Sequence, residues 1–162
     1  MIGKVHLLLL SLLRPFYWIN NKYLFMLGEV FRQVLVFIFK CDISPVAKVP
    51  LSTHFPHYIG IVIGACEMGE HCIIRNNVTI GKKTVDEKYL VDKGRKITLE
   101  EHRSKFPKIG SGVVIGSNAC LVGSITIGDK AVIGAGSVVV SDVEAHSVYV
   151  GVPAKKVKML EL

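Results

Sequence analysis

Residues 109–138 read IGSGVV IGSNAC LVGSIT IGDKAV IGAGSV, five six-residue units in unbroken succession. An aliphatic residue opens each unit (Ile109, Ile115, Leu121, Ile127, Ile133), and Val139 is next in register. Glycine usually follows the opener. A small or aliphatic side chain stands four positions after it: Val113, Ala119, Ile125, Ala131, Ser137. A strict period of six fits neither the 3.6 of an amphipathic helix nor the alternation of a half-buried strand. It is the mark of a parallel β-helix, in which each coil stacks on the one below.

The bulk composition is compatible with that fold. The chain has 162 residues, enough for one domain with a real core, and half of them are hydrophobic. Lys and Arg number 20 against 13 Asp and Glu, a formal charge of +7. Nucleic acid, an anionic membrane face and a phosphorylated cofactor are the partners such a charge fits. Nucleic acid is the weakest of these, because the basic residues are scattered and no recognition-helix, zinc-finger or RNP-type pattern occurs. The four cysteines, Cys41, Cys66, Cys72 and Cys120, show no CxxC or paired spacing. They read as buried, reduced thiols, with Cys72 and Cys120 falling where small residues pack.

Outward from the repeat, three zones appear. Residues 1–41 are aromatic and aliphatic with interspersed Lys and Arg, and read as two or three short helices, with Pro15 and Gly28 as boundaries. The opening MIGKVHLLLLSLLRP lacks a small-residue cleavage site, and neither it nor Val30–Phe39 reaches the roughly 20 residues of a membrane-spanning helix. These are packing helices, with a contact to a membrane surface as an additional expectation. Residues 42–162 form the β-helix domain. Its first coils are less regular: Ile43 and Val49 are six apart, as are Val62, Met68, Ile74 and Ile80, but Val49 and Val62 are 13 apart. One extra residue therefore enters near STHFPHYIG, and a slip of this kind re-aims side chains. Residues 82–108 break the repeat with a charged stretch, expected to protrude as a loop on a binding face. Residues 141–162 leave the repeat as a basic C-terminal tail.

The segment DISPVAKVPLSTHFPHYIGIVIG, the loop ending FPKIG, and then IGAGSVV and GVPAKKV resemble, in that order, the serine acetyltransferase branch of the left-handed β-helix acyltransferases. The resemblance covers about residues 42–157. It implies a mainly β fold, a left-handed parallel β-helix, and transfer of an acetyl group from acetyl-CoA to a hydroxyl. It places a general base at His57 and the carboxylate that orients it at Asp42. The chemistry needs such a pair: a hydroxyl must lose its proton as it attacks a thioester, and neutral imidazole with a pKa near 6.5 is suited to take it. A carboxylate on the other ring nitrogen fixes the tautomer and stabilises the imidazolium.

For the cofactor, the resemblance implies acetyl-CoA in a groove between neighbouring β-helices of a homotrimer, with no metal. Lys82, Ser117 and Ala135 match the groove positions, and Lys155 and Lys156 in GVPAKKV are candidate partners for CoA phosphates. Two positions depart from the serine-specific pattern, which has Asp before the base and His before P-K-I. Here they are Pro56 and Phe106, and neither can pair with a charged amino acid. The expected acceptor is therefore a sugar hydroxyl, as in the O-acetyltransferases of capsule, exopolysaccharide and colanic-acid loci. Pro56, Tyr58, Phe106 and His54 would line its pocket, with Phe55 as a further aromatic.

Serine or another small hydroxyl metabolite is the alternative acceptor. His102 is the reserve base, while His71 reads as a surface residue and His146 as part of a turn. A zinc-dependent β-helix enzyme of carbonic-anhydrase type needs three converging histidines, an arrangement the spacings do not favour. A trimeric scaffold without CoA binding is the non-enzymatic reading. The expected location is cytoplasmic, at or near the inner face of the membrane.

Overall fold

The structure, a computed structural model, describes residues 22–82 and 106–161 together with Val5, Leu7, Leu8, Leu9 and Leu12. Most of the sequence insertion, including His102, lies outside the described residues. Helix α1 (Lys22–Phe39) runs uninterrupted through Gly28, which is buried in mid-helix and marks no boundary. It buries Leu35 against the coils, with Phe39 packed on the same core. The helix ends where Lys40 turns to a left-handed φ of 53°, its N–H still bonded to the Val36 carbonyl at 2.8 Å.

Beyond α1 the chain winds through short strands that stack into three parallel faces. The first face holds β1 (Asp42–Ile43), β2 (Val62–Ile63), β5 (Thr79–Gly81), β8 (Cys120–Val122) and β11 (Val138–Val139) in that spatial order. The second holds β3 (Glu67–Met68), β6 (Lys108–Ile109) and β9 (Thr126–Ile127), extended by bridges at Lys48 and Val143. The third holds β4 (Ile73–Ile74), β7 (Val114–Ile115), β10 (Val132–Ile133), β12 (Ser147–Gly151) and β13 (Ala154–Met159), with His54 bridged to Ile73. The architecture is the parallel β-helix that the repeat announced.

Period six works because each face takes one two-residue strand and each corner the rest. In each strand from β1 to β11 one residue points in and its neighbour out, as strand geometry requires. Ile115, Leu121, Ile127 and Ile133 are at most 1% exposed, and the small side chains at Val113, Ala119, Ala131 and Ser137 are wholly buried at the corners. Two corners turn through left-handed residues. His71, Gly112, Lys130 and His146 form one such column, and Gly60, Asn77, Asn118 and Gly136 another. Asn tolerates that conformation better than most residues, which accounts for two of these choices.

The first coils correct the register read from the sequence. Val62 is 44% exposed, whereas Ile63 is 1% exposed and pairs with the inward Ile43 and Ile80. The inward residue on this rung is thus Ile63, not Val62. The single extra residue resolves into two changes that nearly cancel. Phe55 to Ile63 takes eight residues where six would do, and Ile63 to Met68 takes five. The surplus emerges as the turn at residues 56–61.

At the other end, residues after 140 do not leave the β-helix. Val143 is buried and bridged to Ile127, and β12 adds a rung beside β10 before β13 folds back antiparallel. The supposed tail is a last coil closed by a hairpin. Cys41, Cys66 and Cys72 are buried, and burial pushes the Cys41 and Cys66 thiols up to about 12. Cys120 differs from expectation: it takes an outward strand position and is partly exposed.

The turn at 56–61 depends on Gly60. Its φ is +72°, its N–H bonds the Lys40 carbonyl at 2.9 Å, and an added Cβ would fall 2.0 Å from Asn77 Oδ1. Two predictions follow from this arrangement. Ile63→Ala should lower unfolding free energy in denaturant titrations by about 2–5 kcal/mol, and the equally apolar Val62→Ala by less than ~1 kcal/mol. Gly60→Ala should cost more than ~1 kcal/mol, with only the steric part recovered in an Asn77→Ala background, since the left-handed φ remains.

Candidate active site

His57 sits exposed on the turn that the extra residues create, just ahead of the anchored residues Tyr58, Ile59 and Gly60. On its C-terminal side the Tyr58 ring packs edge-on against Phe39, 6.3 Å between centroids, and against Phe55, 5.3 Å. Burial is the main reason the Tyr58 phenol is pushed well above its ordinary range; the Cys41 side chain beside it, to which it also hydrogen-bonds, acts in the same direction. Two residues further on, Gly60 is tied to Lys40 and Ile59 accepts a hydrogen bond from the Asn77 N–H at 3.0 Å. The exposed imidazole thus stands on a turn whose C-terminal side is pinned both to the helix end and to the next coil.

Asp42 opens the first coil beside this turn. Its N–H donates to the Ile61 carbonyl at 2.8 Å, and it is paired in register with Val62. The carboxylate is held by Arg32, whose Nη1 lies 2.5 Å from Oδ1. Arg32 also grips Glu29 through Nε at 3.2 Å and Nη2 at 3.1 Å. Burial opposes the Arg32 charge, but the two carboxylates outweigh it and raise its pKa. A cleft of about 270 Å³ opens here, lined by Glu29, Arg32, Asp42, Ser44 and Val62 among others. Among the described residues no hydrogen bond joins Asp42 to His57. The structure brings the two to one corner of the first coils, and sequence reasoning missed Arg32, the cation that occupies the carboxylate. Its signal was a cation ten residues ahead of Asp42, on a helix whose other charged residues are Lys22 and Glu29.

Below the His57 turn runs a polar column down the same corner. Asn77 Nδ2 donates to Asn118 Oδ1 at 3.1 Å, the Ser117 hydroxyl to Asn76 Oδ1 at 2.8 Å, and the Gly136 N–H to the Ser117 carbonyl at 2.8 Å. Ser117 and the exposed Ala135 therefore share a corner with His57, two and three coils down. Lys82 and the half-buried Phe106 do not: they follow the first face and precede the second, at the next corner round. Lys155 and Lys156 stand exposed on β13, and Lys156 Nζ is 2.6 Å from Glu144 Oε2.

His54 and Pro56 are exposed, His54 on the third face and Pro56 on the turn itself. Tyr58 and Phe55, expected to stack on an acceptor, instead pack with Phe39 against the core, because closing the turn onto the helix end uses their rings. His71 and His146 lie at corners with left-handed φ of 59° and 53°. Among the described residues no three His, Cys, Asp or Glu side chains gather into a metal-binding group.

Similarity to known proteins agrees with this architecture. Residues 106–141 match the bacterial transferase hexapeptide family (six repeats). The chain is 34% identical over 135 residues to a serine acetyltransferase of Bacillus pumilus, covering 83% of this chain and 55% of that protein. It is 34% identical over 139 residues to the serine acetyltransferase of Escherichia coli K12, covering 86% of this chain and 46% of the relative. The crystal structure of Neisseria gonorrhoeae serine acetyltransferase superposes with a TM-score of 0.69 at 36% identity, over 85% of this chain and 48% of that one. A serine acetyltransferase solved in complex with CoA gives 0.65 at 30% identity, over 82% and 48%. The chain spans about half the length of these relatives. These relatives bear out the expected resemblance to the serine acetyltransferase branch; none of those named is a capsule or colanic-acid enzyme. Repeat, rung architecture and relatives converge: the chain is built on the bacterial transferase hexapeptide repeat and is similar in sequence and fold to serine acetyltransferases.

Proposed function

We propose that this chain is an O-acetyltransferase that moves an acetyl group from acetyl-CoA to a hydroxyl, with His57 as general base. The hydroxyl oxygen attacks the thioester carbonyl while the imidazole takes its proton. The C–S bond then breaks, and the imidazolium returns the proton to the departing thiolate, giving ester and free CoA. Asp42 orients and stabilises the imidazolium, using the carboxylate oxygen that Arg32 does not hold. The observation that carries this reading is the position of His57: exposed, on a turn anchored to the helix end and to the next coil, above the corner that bears Ser117 and Ala135. Acetyl-CoA lying along that corner would present its thioester to the imidazole, with Lys155, and Lys156 on release from Glu144, beside its phosphates. Lys82 and Phe106 stand on a different corner, so a site completed across a subunit boundary, in a homotrimer, accounts for them. The reaction belongs to the cytoplasm, where acetyl-CoA is available.

Serine is the acceptor that the relatives favour, since every one named here is a serine acetyltransferase. A second reading is favoured by Pro56 and Phe106. Neither supplies the charge or hydrogen bond that a zwitterion needs, and a site lacking such partners turns toward an uncharged hydroxyl such as a sugar's.

His57→Ala should leave the thermal transition unchanged while lowering kcat about a hundredfold in an assay of free thiol release, the size expected for loss of a general base. Near-normal turnover would overturn the mechanism. The same assay decides the acceptor. Thiol release driven by serine supports the first reading; release driven only by sugars, with serine activity gained in Pro56→Asp/Phe106→His, supports the second.

A further inference from the structure

We infer, given the roles proposed above for Asp42 and His57, that Arg32 is a positioning residue for acetyl transfer: its guanidinium, braced by Glu29, sets the carboxylate that serves the imidazole. Arg32 divides its donors. Nε and Nη2 go to Glu29 Oε2, at 3.2 and 3.1 Å, and Nη1 goes to Asp42 Oδ1 at 2.5 Å. Glu29 stands three residues back on α1, about one turn away, so the helix itself fixes the direction of the fork. A planar guanidinium held at two of its nitrogens presents the third along a fixed line, which a flexible ammonium cannot do. Asp42 is thus gripped through one oxygen, and Oδ2 is outside the grip.

Exposure runs the same way. The Arg32 side chain is 18% exposed and that of Asp42 41%, so the cation is the covered partner and the carboxylate the accessible one. The Asp42 backbone is fixed independently, by its bond to the Ile61 carbonyl and its register with Val62. That pairing leaves the side-chain torsions of Asp42 unset, and the Arg32 contact sets them. Without the guanidinium, Glu29 and Asp42 would be two uncompensated carboxylates lining one cleft, and their repulsion would turn Asp42 aside. A role in stability alone is a poor account, since an ion pair this exposed contributes little to folding. The arrangement extends triad logic outward: Glu29 orients Arg32, Arg32 orients Asp42, and Asp42 orients the imidazole.

The test is a double-mutant cycle in the free-thiol assay, run with the acceptor that drives release in the wild type. It compares Arg32→Gln, Asp42→Asn and the double variant, with Arg32→Lys and His57→Ala alongside. Arg32→Gln should lower kcat about tenfold and leave the acetyl-CoA KM within about twofold, as expected when an orienting group and not a binding group is lost. Its thermal transition should stay near that of the wild type. Arg32→Lys, which keeps the charge without the fork, should recover part of the loss. In the Asp42→Asn background, Arg32→Gln should cost nothing further, because its effect passes through that carboxylate. An equal loss in both backgrounds overturns the inference. So does an undiminished or raised kcat in Arg32→Gln, the raised value meaning that Arg32 withholds the carboxylate from His57. Should Arg32→Gln fail to fold, Glu29→Gln reads the same chain: a smaller loss of kcat that vanishes in Asp42→Asn supports the inference, and no loss, or one that persists there, overturns it. Near-normal turnover in His57→Ala or Asp42→Asn removes the proposed mechanism and this inference with it, whereas loss in those two with full turnover in Arg32→Gln removes the inference alone.

Discussion

The structure depends on one backbone constraint: each coil must bring the same inward position into parallel register with the coils above and below. On the first face that rung runs Ile43, Ile63, Ile80, Leu121, Val139, all at most 2% exposed. The hydrogen bonds between rungs are shared by every coil, so a length change cannot be absorbed within a face. It must be expelled at a corner or cancelled in the next side. Both outcomes occur. Two surplus residues leave at the 56–61 turn and one is taken back before Met68. The sequence between Ile80 and Ile109 is much longer, yet β6 resumes in register with β3.

Function follows from where chain is expelled. A face residue is committed either to the core or to the outer pleat, and its backbone groups are used in rungs. A corner residue is free to carry chemistry. His57 owes its exposure to the surplus in the first coil, and its placement to Gly60 and Tyr58, which return the chain to the helix end and the second coil. Asp42 reaches the same corner by a different route, as the first outward residue after α1.

The regular coils were legible from Ile109 onward because five identical spacings leave one solution, and every opener there proved buried. The first coil was misread because Val62 and Ile63 are chemically equivalent. Only the pairing of Ile63 with Ile43 and Ile80 distinguishes them, and pairing is a non-local fact. The last coil was mistaken for a tail because Val139 to Val143 takes four residues rather than six, which breaks the written period without breaking the solenoid. At the site, the string around His57 located the turn correctly. The Arg32–Asp42 ion pair was invisible, since it joins a helix to a coil across ten residues that show no period. Tyr58 and Phe55 were read by residue type as binding aromatics, but closing the turn uses their rings.

The C-terminal hairpin has a further consequence for the molecule in a crowded solution. A stack of parallel rungs ends in a bare strand edge, and such an edge invites another chain to add in register. Here the third face finishes with β13 reversed against β12, so the last edge runs opposite to all the rungs before it. That edge carries Lys155, Lys156 and Lys158, all exposed. Reversal spoils the template for parallel addition on this face, and the Lys155 and Lys158 ammonium groups repel a like neighbour.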